Sequence, residues 1–302
     1  MIGALRTSGT AKDDLVLIGA EMVTGNAATD ISDFSPQWQK GLGRYFQSDP
    51  FRNIIPLNVH EYVHTQQTGF GNSLLGRSLF EGTCDFVTEL VTGKAMPLSY
   101  MAYGPMHEAE LKEKFQIEMF NPFLDNWFYN QTNEHPDLGY YMGYAICRSY
   151  YQQATNKKQA IKEMIELDYN NDRAVVAFTN KARFFSESVE QLYDQHERRR
   201  PIVTAVHPIN GQDSLVDASV KEIQIEFSTV MAHNTGTDYG SGGKEQFPVV
   251  GQPGFSADKR SYTYLVDLQP GRTYSFKVTG GGFRSKEGYL LKDYEVKFRT
   301  KE

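Results

Sequence analysis

The chain has 302 residues, room for two domains, with 40% hydrophobic and 23% charged residues and a formal net charge of −6. Acidic and basic residues are spread along it, so it lacks the basic face that phosphate binding needs, which excludes nucleic acid as a main partner. No run of about 18 apolar residues occurs, which excludes a membrane-spanning helix.

The opening stretch, MIGALRTSGTAKDDLVLIGAEMV, has no charged segment followed by an apolar one, so no signal peptide is read there. It enters strand-like sequence almost at once, as the remainder of a longer precursor would. The segment 13–25, DDLVLIGAEMVTG, is short, apolar and ends in glycine, which predicts a strand. Two cysteines, Cys84 and Cys147, are too few for a disulfide framework; both lie in helix-like sequence and are expected as buried thiols.

The segment 56–69, PLNVHEYVHTQQTG, holds His60, Glu61 and His64 in the spacing H-E-x-x-H. On a helix, residues four apart point the same way, so both rings can face one ion. Glu61 projects beside them, where it could take a proton from water. In a chain of this composition the pattern arises by chance with a probability of about 0.01, which favours a metal over two incidental histidines on one helix face.

A zinc hydrolase needs three protein ligands and an open fourth position. Glu81 is the candidate third ligand, with 16 residues between it and His64 and with Gly69 and Gly71 available to turn the chain back. It lies in 73–93, SLLGRSLFEGTCDFVTELVTG, whose apolar residues at 75, 79, 86 and 90 have helical spacing; Ser73 reads as the N-cap and Gly93 as the stop. Asp85 follows Glu81 by four residues on the same face, suited to accept the far N–H of a ligand histidine.

Two further helices are predicted over 138–155 and 157–168. In the first, Tyr140 and Tyr144 stand four apart, each beside a glycine, and either phenol is a candidate donor to an oxyanion, with aromatic packing the ordinary alternative. His107 and His135 are further candidates, whereas His196, His207 and His233 are expected at the surface. The basic run ERRR at 197–200 reads as a solvated linker.

After Pro201 the periodicity changes. KEIQIEFS (221–228), YTYLVDL (262–268), TYSFKVTG (273–280) and DYEVKFRT (293–300) alternate polar and apolar residues between Gly, Pro and Asp turns. This predicts an all-β module of about 100 residues, most simply a sandwich.

H-E-x-x-H followed by E-G-x-x-x-[F/Y] on a second helix resembles the gluzincin metallopeptidases. FEGTCDF fits, with Glu81 before Gly82 and Phe86 five residues after the glutamate. The resemblance makes Glu81 the third zinc ligand, and Asp85 matches the aspartate that small gluzincins of the thermolysin type carry four residues later. HEYVHTQQ, SLFEGTCDFVTELVTG and LGYYMGYAICRSYYQQATNKKQAI together are similar to bacterial proteins predicted to be zinc-dependent proteases, over about residues 1–190. The spacing of 16 is shorter than in the best-known gluzincins. In such enzymes an edge strand pairs with extended substrate, and LVLIGAEMV is that strand by resemblance. VHPINGQDSLVDASVKEIQIEFSTVMA resembles the opening of bacterial immunoglobulin-like domains, which usually sit on exported proteins as spacers, stabilisers or surface-binding adaptors.

These readings predict an α+β chain: a mainly helical, zincin-type (thermolysin-like) catalytic domain over 1–198 and an all-β immunoglobulin-like sandwich over 200–302. The expected function is Zn2+-dependent hydrolysis of a peptide or protein substrate. His60, His64 and Glu81 hold the metal, Glu61 is the base, and Tyr140 or Tyr144 donates to the oxyanion. The alternatives are a zinc-binding scaffold or surface-binding protein without turnover, and an amidase acting on a non-protein or cell-wall peptide. The C-terminal module implies an extracytoplasmic location, periplasmic, cell-surface or secreted, with surface or carbohydrate contact.

Overall fold

A computed structural model describes residues 7–130, 133–211 and 214–302. The leader reading of the first six residues lies outside them. The chain is a mixed α+β protein that divides into two compact units, the first ending at Leu192 and the second spanning Tyr193–Glu302.

The first unit opens with a hairpin of β1 (Gly9–Lys12) and β2 (Leu15–Ile18), paired antiparallel with Gly9 opposite Ile18. The residues ahead of the expected strand thus contribute a strand of their own, β1. The strand expected over 13–25 is confined to β2. The Gly19 N–H donates to Ser8 O at 2.9 Å, and the chain then coils into a helical turn, α1 (Ala20–Thr24), that buries Met22 and Val23. Helices α2 (Pro36–Gln47), α3 (Ile54–His64), α4 (Leu74–Thr92), α5 (Ser99–Tyr103), α6 (Glu108–Glu118), α7 (Leu138–Gln153), α8 (Lys157–Ile165) and α9 (Asp172–Ala182) follow.

Pro56 sits in the first turn of α3, where a missing N–H costs nothing. Between α3 and α4 the chain reverses at Gly69 (φ +83°) and Gly71 (φ +79°), left-handed positions that disfavour a side chain. Asn170 Oδ1 fixes this turn by accepting from Phe70 N at 3.0 Å and Gly71 N at 3.2 Å. The Ser73 side chain accepts from Gly76 N, capping α4, and Gly93 ends it at φ +71°.

Helix α4 is the axis of this unit. Its residues from Leu74 to Thr88 are buried except Arg77, so it has no solvated face, the pattern of a helix enclosed by others. It crosses α7 at a backbone-to-backbone contact. A Cβ at Gly143 would lie 1.6 Å from Ser78 O, and one at Gly82 would lie 2.1 Å from Tyr144 N. Around the crossing pack Leu79, Phe115, Trp127, Tyr141, Ile146 and Tyr169, all nearly inaccessible. Cys84 and Cys147 are buried free thiols.

The final helix, α10 (Val189–Arg199), carries the division between units, ahead of the boundary expected at 198. Its end is no solvated linker. Arg200 donates from Nε to Leu290 O at 3.0 Å and from Nη2 to Leu291 O at 2.9 Å, and Arg199 donates to the Tyr289 hydroxyl. His196, expected at the surface, is 5% exposed and packs 5.3 Å from the Tyr289 ring, because that arginine anchoring draws the helix end onto the β unit's own core.

In the second unit, β3 (Val203–His207), β4 (Leu215–Val216), β5 (Glu222–Phe227), β6 (Thr237–Tyr239), β7 (Val249–Phe255), β8 (Ser261–Val266), β9 (Thr273–Val278) and β10 (Tyr294–Thr300) form two four-stranded sheets. The orders are β4-β10-β9-β6 and β3-β5-β8-β7, with only the β10–β4 pair parallel. Alternation sends Ile223, Ile225 and Tyr264 of one sheet and Phe276, Val296 and Phe298 of the other into a shared core.

Candidate metal centre

Glu81 and Asp85 are 5% and 1% exposed on the enclosed helix α4. Carboxylates buried there require cationic or hydrogen-bonding partners. Helix α3 supplies them. His60 Nε2 and His64 Nε2 stand 3.1 Å apart, and Glu81 Oε2 lies 3.5 Å from the first and 3.2 Å from the second. Three donors thus form a nearly equilateral triangle. Metal–ligand bonds of about 2.0–2.1 Å around a tetrahedral zinc would space its ligands by about 3.3 Å, so the donor set and its edges fit that ion.

Each histidine is oriented from behind. His60 Nδ1 is 2.8 Å from Asp85 Oδ1, while the Tyr100 hydroxyl donates to Asp85 Oδ2 at 2.9 Å. His64 Nδ1 is 2.7 Å from Gln67 Oε1, and the Gln67 amide donates to Phe80 O and the Tyr169 hydroxyl. A proton on each Nδ1 leaves each Nε2 lone pair facing the triangle. Sequence reasoning found Asp85 by its spacing from Glu81 but missed Gln67 and Tyr100. Gln67 carried a signal, a polar side chain three residues after His64 at a helix end; Tyr100 carried none. Asp85→Asn is expected to lower zinc affinity about 10–100-fold without abolishing binding, measured by competition with a chelator.

The charges agree with a cation site. Burial alone would depress the His60 imidazole, but hydrogen bonds to Asp85 and Glu81, with their charges, raise it to about 10. Burial alone would raise Glu81, but the hydrogen bonds and charges of both histidines bring it down to about 2. These carboxylates therefore favour positive charge on His60, and an ion bound at Nε2 would take the place of that proton.

A second trio, His60, His64 and Cys84, also brings its ligand atoms within 4.8 Å of one another. The Cys84 sulfur contacts His64 Nδ1 at 3.3 Å, the ring nitrogen turned away from Glu81, and donates toward Gln67 Oε1 and Phe80 O. Burial and the Glu81, Asp85 and Glu61 charges push its thiol well up, so it stays protonated. Glu81 is the better third donor, because its Oε2 lies within 3.5 Å of both Nε2 atoms whereas the sulfur meets the Nδ1 that Gln67 holds.

Glu61 is 7% exposed and adjoins a cleft of about 470 Å³, which His60, Tyr45, Tyr100, Tyr140 and the segment Thr7–Gly9 also line. Burial raises its carboxyl above the usual glutamate range, with the His60 and His64 charges opposing. The backbone of β1 presses on it: a Cβ at Gly9 would sit 2.9 Å from Glu61 Oε1. The strand beside Glu61 is therefore β1, not the LVLIGAEMV segment.

The structure separates the two tyrosines. The Tyr140 ring lies 6.2 Å from that of His60 and 5.2 Å from that of Tyr100, and burial with the Glu81 charge keeps its phenol protonated. Tyr144 is corrected: its hydroxyl donates to Glu89 Oε2 at 2.6 Å. Glu89 lies eight residues beyond Glu81 on α4, about 12 Å along the axis. His107 and His135 do not join the donors either; their rings flank Tyr103 at 3.9 and 3.7 Å. His207 is paired with Glu226 and His233 with Lys259.

No family model and no curated protein matches the chain. Among solved structures it is similar to CopC from Methylosinus trichosporium OB3b, at 17% identity over 34% of this chain and 94% of that one, with a TM-score of 0.27. It is also similar to two structures of the S-layer protein SbsC, each at 12% identity over 75% of this chain and 32% of that one, with TM-scores of 0.25 and 0.26. The chain thus spans about a third of the S-layer chains it matches, and likenesses this slight carry no argument. Among the described residues, no helix is long and apolar enough to cross a membrane.

Proposed function

We propose that the chain is a zinc-dependent hydrolase that cleaves peptide bonds, with a zincin-type catalytic domain followed by an immunoglobulin-like module. The observation that supports this most is the triangle of His60 Nε2, His64 Nε2 and Glu81 Oε2 with the buried Glu61 carboxylate on the next residue of α3. A scaffold site has no use for that base. When bound, zinc supplies Lewis-acid polarisation of the scissile carbonyl and lowers the pKa of water.

The residues do the rest. His60, His64 and Glu81 would hold the ion, with Asp85 and Gln67 fixing the imidazoles. Glu61 takes a proton from the attacking water on a carboxylate oxygen and passes it to the departing amine. Of the two candidates, it is the Tyr140 phenol that donates to the oxygen that gains charge. The cleft receives a peptide or protein segment beside β1. An extracytoplasmic location, and surface or carbohydrate contact through the second unit, belong to the same reading through the resemblance of that module.

Metal analysis tests the reading. Purified protein should hold close to one zinc per chain, and His60→Ala, His64→Ala or Glu81→Ala should each remove most of it. Cys84→Ala should keep it. Zinc retained in Glu81→Ala and lost in Cys84→Ala would move the third ligand to the thiol and defeat the assignment.

A further inference from the structure

Arg77 lies four residues before Glu81 on α4. Its Nη1 is 3.8 Å from Glu81 Oε1, close enough to feel the charge and too far for a hydrogen bond. Its guanidinium is held instead by two rings, 5.5 Å from the centroid of Phe70 and 5.6 Å from that of Phe80. Phe80 in turn stacks on His64 at 4.4 Å. The turn carrying Phe70 is pinned by Asn170. The cation is thus built into the wall of the donor triangle.

Its donors are unused. A guanidinium offers five N–H groups in a planar fork. Among the described residues none accepts from Arg77, and its Nε is buried without a partner. The side chain as a whole keeps 19% of its surface open, so a ligand oxygen can approach the fork from outside.

The ligand follows from shape and reach. A planar fork with free donors matches a carboxylate, which it can bind through two parallel hydrogen bonds. Arg77 approaches one oxygen of Glu81 while the other is a corner of the triangle, so the fork adjoins the donor set. We propose that Arg77 is a specificity-determining residue that receives a carboxylate on the residue adjoining the scissile bond. That carboxylate is either the α-carboxylate of a chain end or an Asp or Glu side chain. The inference rests on the metal-hydrolase reading for its place in a reaction, and on Arg77 alone for its ligand.

Calorimetric binding tests it without turnover. The probes are N-acetylphenylalanine against its carboxamide, and the amides of N-acetylglutamate against N-acetylglutamine. Each is titrated into zinc-loaded and chelator-treated protein, with zinc content measured on the same samples. Wild type should bind one acid at least about 10-fold more tightly than its neutral partner, as a charge-assisted pair implies. Which acid is preferred tells chain end from side chain. Arg77→Gln should equalise the pair and keep its zinc, and Arg77→Lys should restore part of the preference. Acid and neutral probe bound alike by wild type would overturn the proposal, as would a preference that survives Arg77→Gln. Loss of zinc together with the preference, both restored by lysine, would also overturn it and make Arg77 a support of Glu81. An acid preference that depends on Arg77, with no peptide hydrolysed, would sustain the anion site and sink the hydrolase reading.

Discussion

Glu61→Gln is expected to leave zinc content and melting temperature near wild type while slowing peptide hydrolysis by at least about 10²-fold, the lower end of what a positioned acid–base group contributes. The substitution keeps volume and a hydrogen-bonding end, so the contact with the β1 backbone at Gly9 survives. What it removes is an oxygen able to hold a proton. Glu61 is no corner of the donor triangle, so the metal should stay while the chemistry goes. A panel of peptides with metal analysis on the same preparations separates the possibilities. Undiminished hydrolysis would mean that another group is the base. No hydrolysis by wild type, with zinc present, would return the scaffold alternative.

Gly143→Val should destabilise the first unit by at least about 3 kcal/mol, the upper range of overpacking costs, and lower its melting temperature by roughly 6–12 °C. The first atom of any side chain there would lie 1.6 Å from Ser78 O and 2.3 Å from Ser78 C. Those are backbone atoms of a helix that cannot turn aside as a side chain can. Relief requires α4 and α7 to separate, opening the contacts of Leu79, Tyr141 and Ile146 on either side. The donors sit on α3 and α4, whereas Tyr140 sits on α7. Any folded fraction should therefore keep zinc better than activity. Thermal unfolding by calorimetry decides, and a change within about 1 kcal/mol would show that the crossing tolerates separation.

What could be read in advance follows the range of the interactions. The i, i+4 pairs His60/His64 and Glu81/Asp85 are local, because one helix turn determines which side chains share a face. The cap at Ser73 and the stop at Gly93 are equally local. Tyr140 and Tyr144 show where locality ends. Their shared spacing was legible, but a crossing at Gly82 and Gly143 sends one ring toward His60 and the other hydroxyl to Glu89. Tyr100 reaches Asp85 from a separate helix, and β1 reaches Glu61 from near the start of the chain. Neither contact leaves a periodicity. The short apolar run at 13–25 also misled, since strand and helix cannot be told apart over so few residues.

The enclosure of α4 bears on how the chain finds its arrangement. Apolar surfaces tolerate sliding, because one aliphatic neighbour serves nearly as well as the next. Two anions in the interior do not. A slip of α3 by one residue turns each histidine by about 100°, leaving Glu81 with only Arg77 at 3.8 Å and Asp85 with only the Tyr100 hydroxyl as partners. Electrostatics thus selects the register of these two helices more sharply than packing does. The groups assigned to chemistry also act as a lock on assembly, engaged before any substrate arrives.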